Sequence, residues 1–127
     1  MGDQPTILLV DDDDEVRDGL IEFLRQQGYC IVVGSNEEES IRQATAQDFS
    51  IRLILVNQQM SSDKALDVGR RIRDRLLMDT QVPVVVIPLE FNGAMEGKDK
   101  VDRGDYKTYL ADSQQLVSLL RRLLPTF

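Results

Sequence analysis

Four consecutive carboxylates, Asp11 to Asp14, directly follow a short apolar run at residues 6–10. The run is typical of a strand that is buried on both faces, so the acids lie at its carboxyl end. Asp13 and Asp14 are explained as residues that begin a helix, but adjacent carboxylates at Asp11 and Asp12 repel one another unless a cation or donor lies nearby. Because Mg²⁺ binds one or two carboxylates plus water, these two predict a magnesium pocket.

A second polar side chain, Asn57, ends the apolar run at residues 53–56. An aspartate in that setting would suggest a phosphoryl acceptor, because a carboxylate can attack phosphorus to form an acyl phosphate. The amide is nearly isosteric with the carboxylate but is a very poor nucleophile. The sequence therefore predicts that the shape of such a site is kept while its reactive oxygen is lost.

Five apolar runs alternate with five helix-like segments, and together they must position these side chains. The predicted strands cover residues 6–10, 30–33, 52–56, 82–87 and 105–110. The predicted helices cover residues 14–27, 35–47, 62–75, a short and irregular part of 90–104, and a last segment from Asp112 or Ser113. Short connections between alternating elements imply an α/β fold, a parallel sheet with helices on both faces, with chemistry outside the carboxyl ends of the strands. That rule brings the acids, Asn57, Pro88 and Tyr109 to one edge.

Signals at the helix ends add detail to this prediction. Asp14 is predicted to cap the first helix, Ser35 with Glu38 forms a capping box for the second, and Ser62 or Asp63 caps the third. The third helix also carries four arginines, at positions 70, 71, 73 and 75. We interpret these arginines as a solvated helix face, with a docking patch for an acidic partner as the alternative.

Composition excludes several classes of function. The chain has no histidine, which rules out His-based nucleophile pairs and His-ligated metal sites. The net charge of −7 argues against general binding to nucleic acid. No segment approaches the length of a membrane span, so no membrane partner is expected. The single cysteine, Cys30, fits a reducing compartment, and we expect a cytoplasmic protein.

Several motifs together resemble the receiver domain of two-component response regulators. They are Ile7-Leu8-Leu9-Val10-Asp11-Asp12 followed by Glu15-Val16-Arg17, then Leu53-Ile54-Leu55-Val56-Asn57 with Met60, then Val82-Pro83-Val84-Val85-Val86, and finally Asp105-Tyr106 ahead of Leu116. The resemblance covers essentially the whole chain. It implies a flavodoxin-like (βα)5 fold, three layers deep, with a doubly wound five-stranded parallel sheet in the order 2-1-3-4-5.

The resemblance also assigns roles to single positions. Asp11 and Asp12 match the family's metal-binding acidic pair, but Asn57 lies where the family has its phosphoacceptor aspartate. Pro88 lies where the family has a Thr or Ser that bonds the phosphoryl group, and proline has neither a hydroxyl nor an N–H. Tyr109 lies where the family has a lysine that pairs with the phosphate.

Lys107 lies one pleat repeat before Tyr109 on the same strand face, about 7 Å away. Tyr106 matches the family's aromatic switch position. With the acceptor, the hydroxyl and the lysine all missing, we interpret the chain as a pseudo-receiver that takes no phosphate at the usual place. Mg²⁺ binding is expected to be weak, since one of three negative charges is absent, and no cofactor is required.

Two alternatives remain. An active acceptor would use another carboxylate, with Asp12, Asp13 or Asp63 as candidates. A small phosphohydrolase of the haloacid dehalogenase type is the second, because Asp11 and Asp13 resemble that family's nucleophile and acid. That family needs an acidic pair after the fourth strand, where this chain supplies only Glu90.

The resemblance implies signalling through the fourth helix, fifth strand and fifth helix. We expect a single domain over residues 1–127, without an output domain and without catalysis of its own. Its partner would be a histidine kinase or another signalling protein, bound at the surface of Tyr106, Lys107 and Tyr109 and the last helix. A homodimer through the last strand and helix is a further expectation.

Overall fold

The computed structural model describes residues 4–47, 50–88, 94–110 and 112–124. The strands of these stretches are β1 (Thr6–Asp11), β2 (Cys30–Gly34), β3 (Ile51–Asn57), β4 (Val84–Val86), β5 (Lys98–Asp102) and β6 (Asp105–Tyr109). Their helices are α1 (Asp14–Gln26), α2 (Glu37–Gln47), α3 (Ser62–Arg75) and α4 (Ser113–Leu123). Among these helices, none combines the length and the apolar character that a membrane crossing requires.

One sheet contains all six of these strands, in the order β2-β1-β3-β4-β6-β5. Five strands run parallel to one another, in the order β2, β1, β3, β4 and β6, and β5 pairs antiparallel with β6. Strand β1 is buried along its whole length, as its continuous apolar run predicts. The predicted doubly wound α/β fold, with a mostly parallel sheet and helices, is confirmed.

The sheet separates two apolar cores. One holds side chains of β1, β3 and β4, including Leu8 and Ile54, packed against α2 and α3, where Ile72 of α3 is fully buried. The other holds the alternate side chains of the same strands with α1 and α4, including Leu55 and Leu120. Because successive residues of a strand point to opposite faces, a run such as residues 53–56 contributes to both cores.

The helix predicted within residues 90–104 is wrong for the part that the structure describes, while residues 89–93 lie outside it. Residues 98–102 instead form β5, which a two-residue turn joins to β6. Both turn residues have positive φ, 55° at Arg103 and 82° at Gly104, as a type I′ hairpin requires. This stretch has too few apolar residues for a helix that packs, and Val101 is 57% exposed. The predicted five-stranded order 2-1-3-4-5 is therefore corrected to six strands.

Three of the four helix caps differ by one residue from those predicted, and the fourth is as predicted. The side chains that accept a backbone N–H of the first turn are Asp13 for α1, Asn36 for α2, Ser61 for α3 and Asp112 for α4. These shifts are within the usual uncertainty of helix boundaries, and they leave the packed faces of the helices unchanged.

Candidate functional site

The carboxyl ends of β1 and β3 place Asp11 directly beside Asn57 in the parallel register. Asp11 is fully buried, and Nδ2 of Asn57 donates a hydrogen bond to its Oδ2 at 3.1 Å. The backbone N–H of Asp13 donates to Oδ1 of the same carboxylate at 2.9 Å. Both oxygens of Asp11 therefore have neutral donors from within the chain.

Burial raises the pKa of Asp11 above its ordinary value. The hydrogen bonds from Asp13 and Asn57 and the positive charge of Arg17 offset this effect only in part, and the neighbouring charge of Asp12 adds to it. Arg17 lies close because its Nη1 donates to the backbone carbonyl oxygen of Asp11 at 3.1 Å. Ionised Asp11 is thus incompletely compensated at this edge.

Asp12 and Asp13 bind the loop that follows β3. The backbone N–H of Gln59 donates to both carboxylate oxygens of the exposed Asp12, at 3.1 and 3.2 Å. Nε2 of Gln59 donates to Asp13 at 3.4 Å. This loop therefore supplies hydrogen-bond donors to both acids.

The arrangement offers no ready set of ligands for Mg²⁺. Among the described residues, no three His, Cys, Asp or Glu side chains are grouped so that they could hold a metal ion. The amide group that faces Asp11 is a donor, whereas Mg²⁺ binds oxygen atoms. As placed, the residues do not fit the ion.

A cavity of about 380 Å³ opens beside Asn57 at the carboxyl ends of β3 and β4. It is lined by Asp13, Val16, Asn57, Gln58, Gln59, Ile87 and Pro88. Sequence reasoning placed Asn57 and Pro88 at one edge, but it did not find Gln58. Gln58 is 7% exposed, and its Oε1 has no hydrogen-bond partner among the described residues. The position directly after Asn57 was the only signal for it in the sequence.

The three predicted partner-surface residues lie on β6. Tyr106 is partly buried against the core that α1 and α4 cover. Lys107 pairs with Val86 of β4 in the register, and Tyr109 lies two residues further along β6. The buried Lys107 extends to the α3 side, where its Nζ donates to Asp63 at 2.5 Å. The hydrogen bond from Lys107 to Asp63 raises the pKa of Lys107 and lowers that of Asp63.

Asp105 at the start of β6 is a buried charge that the sequence did not reveal. It accepts hydrogen bonds from Arg73 Nη1 at 2.9 Å, Arg70 Nε at 2.9 Å and the backbone N–H of Val84 at 3.0 Å. Burial alone would raise the pKa of Asp105, but the bonds from Arg73, Val84 and Arg70 lower it below its ordinary value.

The interpretation of the α3 arginines as a solvated face is wrong for Arg70 and Arg73. The side chains of Arg73 and Arg70 are only 11% and 24% exposed, because they pack between α3 and β6 around Asp105. Arg71 and Arg75 lie on the outer side and pair with Glu37 and Glu38 at the start of α2. The arginines therefore join α3 to its neighbours on both sides.

The comparisons with known proteins agree on one family. A family model described as response regulator receiver domain matches residues 7–104. The transcriptional regulatory protein CrdR of Helicobacter pylori is 24% identical over 119 residues, which cover 94% of this chain and 54% of CrdR. The chain spans about half or less of the length of the curated relatives that it matches.

Solved structures give the same fold. The chemotaxis protein CheY4 of Vibrio cholerae superposes with a TM-score of 0.69 at 19% identity, covering 95% of this chain and 99% of CheY4. The response regulator TrrA, solved in complex with the histidine kinase ThkA, gives a TM-score of 0.68 at 20% identity, covering 95% of this chain and 99% of the matched chain. At such identities these similarities establish the fold alone.

Proposed function

This chain belongs to the response regulator receiver domain family, and we propose that it is a receiver that takes no phosphate at the usual position and acts by binding a protein. The observation that carries the proposal is the 3.1 Å hydrogen bond from Asn57 Nδ2 to the buried Asp11. A phosphoacceptor must present a nucleophilic oxygen, and the side chain at this position instead presents an amide that donates to its neighbour.

The surroundings of Asn57 support the same proposal. Pro88 lines the cavity beside Asn57 and offers no hydroxyl to a phosphoryl group. Lys107, the lysine of β6, is paired with Asp63 on α3. Phosphoryl transfer depends on a metal, a donor and a cation arranged around the transferred group. Around Asn57, the described residues supply no hydroxyl at position 88, and the ammonium of Lys107 already has a carboxylate partner.

Protein binding is the remaining role that the fold supports. We propose a histidine kinase or another signalling protein as the partner, since the similar TrrA was solved in complex with a histidine kinase. Besides the surface at Tyr106, Lys107 and Tyr109, an apolar cavity of about 630 Å³ lies between α1 and α4. Val16, Leu20, Phe23, Leu110 and Leu116 line it, and Val16 is 49% exposed.

The proposal also covers cofactor, catalysis and location. We propose that the domain needs no cofactor and catalyses no reaction, and that Asp11 and Asp12 bind Mg²⁺ weakly at best because the residues as placed do not fit the ion. A single cysteine, half-buried at the start of β2, fits a protein of the reducing cytoplasm. The position of Glu90, which a phosphohydrolase would need, lies outside the described residues.

The direct test exposes the chain to a small phosphodonor, acetyl phosphate, with Mg²⁺ and follows the intact mass. We expect no gain in mass for the unmodified chain, because an amide does not attack phosphorus. The Asn57→Asp variant is the matched control, and it should gain one phosphoryl group slowly. A gain in the unmodified chain would overturn the proposal, and peptide mapping would then distinguish Asp12, Asp13 and Asp63.

A titration with beryllofluoride and Mg²⁺ tests the switch itself. Backbone NMR should show no shifts that spread to Tyr106 in the unmodified chain. Asn57→Asp should show shifts near residue 57 that fail to reach Tyr106, because Pro88 and Tyr109 still lack the hydroxyl and the ammonium that the resemblance implies. Shifts at Tyr106 in the unmodified chain would contradict a receiver without its phosphate switch.

A further inference from the structure

Strand β5 has one edge that no other strand covers within the described part of the chain. It is the last strand of the sheet, and its inner edge pairs with β6. The neighbouring strand β6 lies between β4 and β5 and has no free edge. The free edge at this end of the sheet belongs to residues 98–102.

The hairpin turn determines which backbone groups of β5 face outward. Asp102 and Asp105 flank a two-residue turn and form its hydrogen-bonded pair. Bonded and non-bonded pairs alternate along an antiparallel ladder, so Asp99 and Val101 direct their N–H and C=O groups away from β6. The free edge thus presents the hydrogen-bonding pattern that another strand needs.

The side chains of β5 are divided between the two faces of the sheet. Val101 lies opposite Tyr106, on the side of α1 and α4, and is 57% exposed. Lys100 lies opposite Lys107, on the side of α3. Asp102 shares that side, where its half-exposed carboxylate lies 3.8 Å from Arg70. One apolar and two oppositely charged side chains therefore stand next to each other along the free edge.

We propose that a second copy of this chain pairs with this edge, antiparallel about a two-fold axis at Val101. The axis runs perpendicular to the sheet and keeps every side chain on its own face. Odd-numbered residues can therefore oppose only odd-numbered residues, and even-numbered residues only even-numbered ones. Val101 then faces Val101 of the second copy as a hydrogen-bonded pair. Lys100 faces Asp102 on both sides of it, which gives two cross-strand pairs of opposite charge.

The alternative register is centred one residue earlier and is disfavoured by charge. It would place Lys100 directly opposite Lys100, and like charges in that position destabilise a sheet. Edge lysines normally protect a strand from such pairing. In β5, however, Asp102 lies two residues after Lys100. In the proposed register the lysine of each copy therefore faces the aspartate of the other, so the edge disfavours unrelated strands but accepts its own copy.

The dimer is expected to be weak. A five-residue edge buries less than the roughly 1,200 Å² of a stable specific interface. Sedimentation velocity should show a monomer at low concentration and a dimer approached toward about 1 mM. This inference does not depend on Asn57, so a positive phosphorylation result would leave it intact, and the absence of a dimer would leave the proposed function intact.

A charge-reversal experiment tests the register. Lys100→Asp and Asp102→Lys should each weaken self-association roughly tenfold, because both cross-strand pairs become like-charged. Mixing the two variants should restore association, since the two acids of one variant then face the two lysines of the other. Thermal unfolding of each variant confirms that it is folded. A mixture that associates no better than its components overturns the proposal.

Two further measurements need no disruption of the fold. Lys98→Asp makes the same change in charge as Lys100→Asp, but residue 98 faces Gly104 in the proposed register, so association should be unchanged. In the unmodified chain, hydrogen exchange at the Val101 amide should slow with rising protein concentration, because that N–H is bonded only in the dimer. A monomer throughout, a loss of association in Lys98→Asp, or a Val101 amide indifferent to concentration would each refute the edge dimer.

Discussion

The carboxyl edge at Asp11 and the α3–β6 contact at Asp105 each bury one carboxylate, and they compensate it in opposite ways. Asp11 is fully buried and Asp105 is 2% exposed. Asp105 receives two guanidinium groups and one backbone N–H, and its pKa is lowered. Asp11 receives an amide side chain and one backbone N–H, and its pKa is raised.

The difference shows that donors on both oxygens do not by themselves decide the state of a buried acid. Each carboxylate has donors on both oxygens, but only full positive charges in direct contact outweigh the cost of burial at Asp105. In the family that this chain belongs to, the resemblance implies a cation at the acidic pair. In this chain, the negative charge of Asp105 is compensated by Arg70 and Arg73. The negative charge of Asp11, at the candidate site, is compensated only in part.

The largest effect is expected for Asp105→Asn. Loss of this carboxylate leaves Arg73 and Arg70 without their shared partner, and breaking a buried pair in this way costs about 3–5 kcal/mol. Urea unfolding should show this loss. Asp102→Asn is the control, because its half-exposed carboxylate lies 3.8 Å from Arg70 and should contribute less than about 1 kcal/mol. Equal losses in the two variants would contradict the special role of Asp105.

Acidification should affect Asp105 and Asp11 in opposite ways. The folded pKa of Asp105 is lowered, so its stabilising contribution is complete above its ordinary pKa of about 4 and is lost as pH falls through the lower folded value. The folded pKa of Asp11 is raised, so its protonation on acidification relieves a cost. Asp105→Asn should therefore remove part of the acid sensitivity of unfolding.

The second-largest effect on stability is expected for Asn57→Asp. The new carboxylate replaces the amide that donates to Asp11, and the repulsion should cost about 1–3 kcal/mol in the absence of metal. Mg²⁺ should recover stability in this variant, since a ligand that binds only the folded state stabilises it. Urea unfolding with and without Mg²⁺ measures both effects. Gln81→Glu, the same change in charge at an exposed position before β4, should show neither effect.

The sequence predicts those parts of the fold that one local segment determines. Residues 53–56 are apolar in continuous order because both of their faces are covered, and β3 lies there as predicted. The edge strand could not be found in this way, because it has no continuous apolar run and its Asp99 is held by Thr108 of β6 and by Gln115 and Arg122 of α4. The pair Arg103-Gly104 was the available hairpin signal.

The candidate site divides along the same line. The rule for strand ends correctly predicted that the acids and Asn57 share one edge, because it depends only on the parallel topology. The α3 arginines were misread because Arg70 and Arg73 are separated from Asp105 by more than thirty residues of sequence. Helical spacing shows which residues share a face, but not whether a buried acid lies opposite them.

A smaller effect is expected for Lys107→Met. The buried stem of Lys107 is replaced by a side chain of similar shape, and its partner Asp63 is 85% exposed and can be hydrated. The loss should be about 1 kcal/mol or less at neutral pH. Because the folded pKa of Lys107 is raised, its contribution is complete below about pH 10.5 and is lost as pH rises through the folded value. The variant should lack this alkaline loss in unfolding experiments, and a loss as large as that of Asp105→Asn would contradict the comparison.

The smallest effect is expected for Arg75→Ala, which removes an exposed contact between α3 and α2. The side chains of Arg75 and Glu38 are 46% and 64% exposed, so water and salt screen their 2.6 Å ion pair. The free energy of unfolding should fall only slightly, and the difference from the unmodified chain should nearly vanish at about 1 M salt. The loss in Asp105→Asn should persist at that salt, because its charges are shielded from solvent. If both differences fall equally with salt, burial does not distinguish the two groups of arginine contacts.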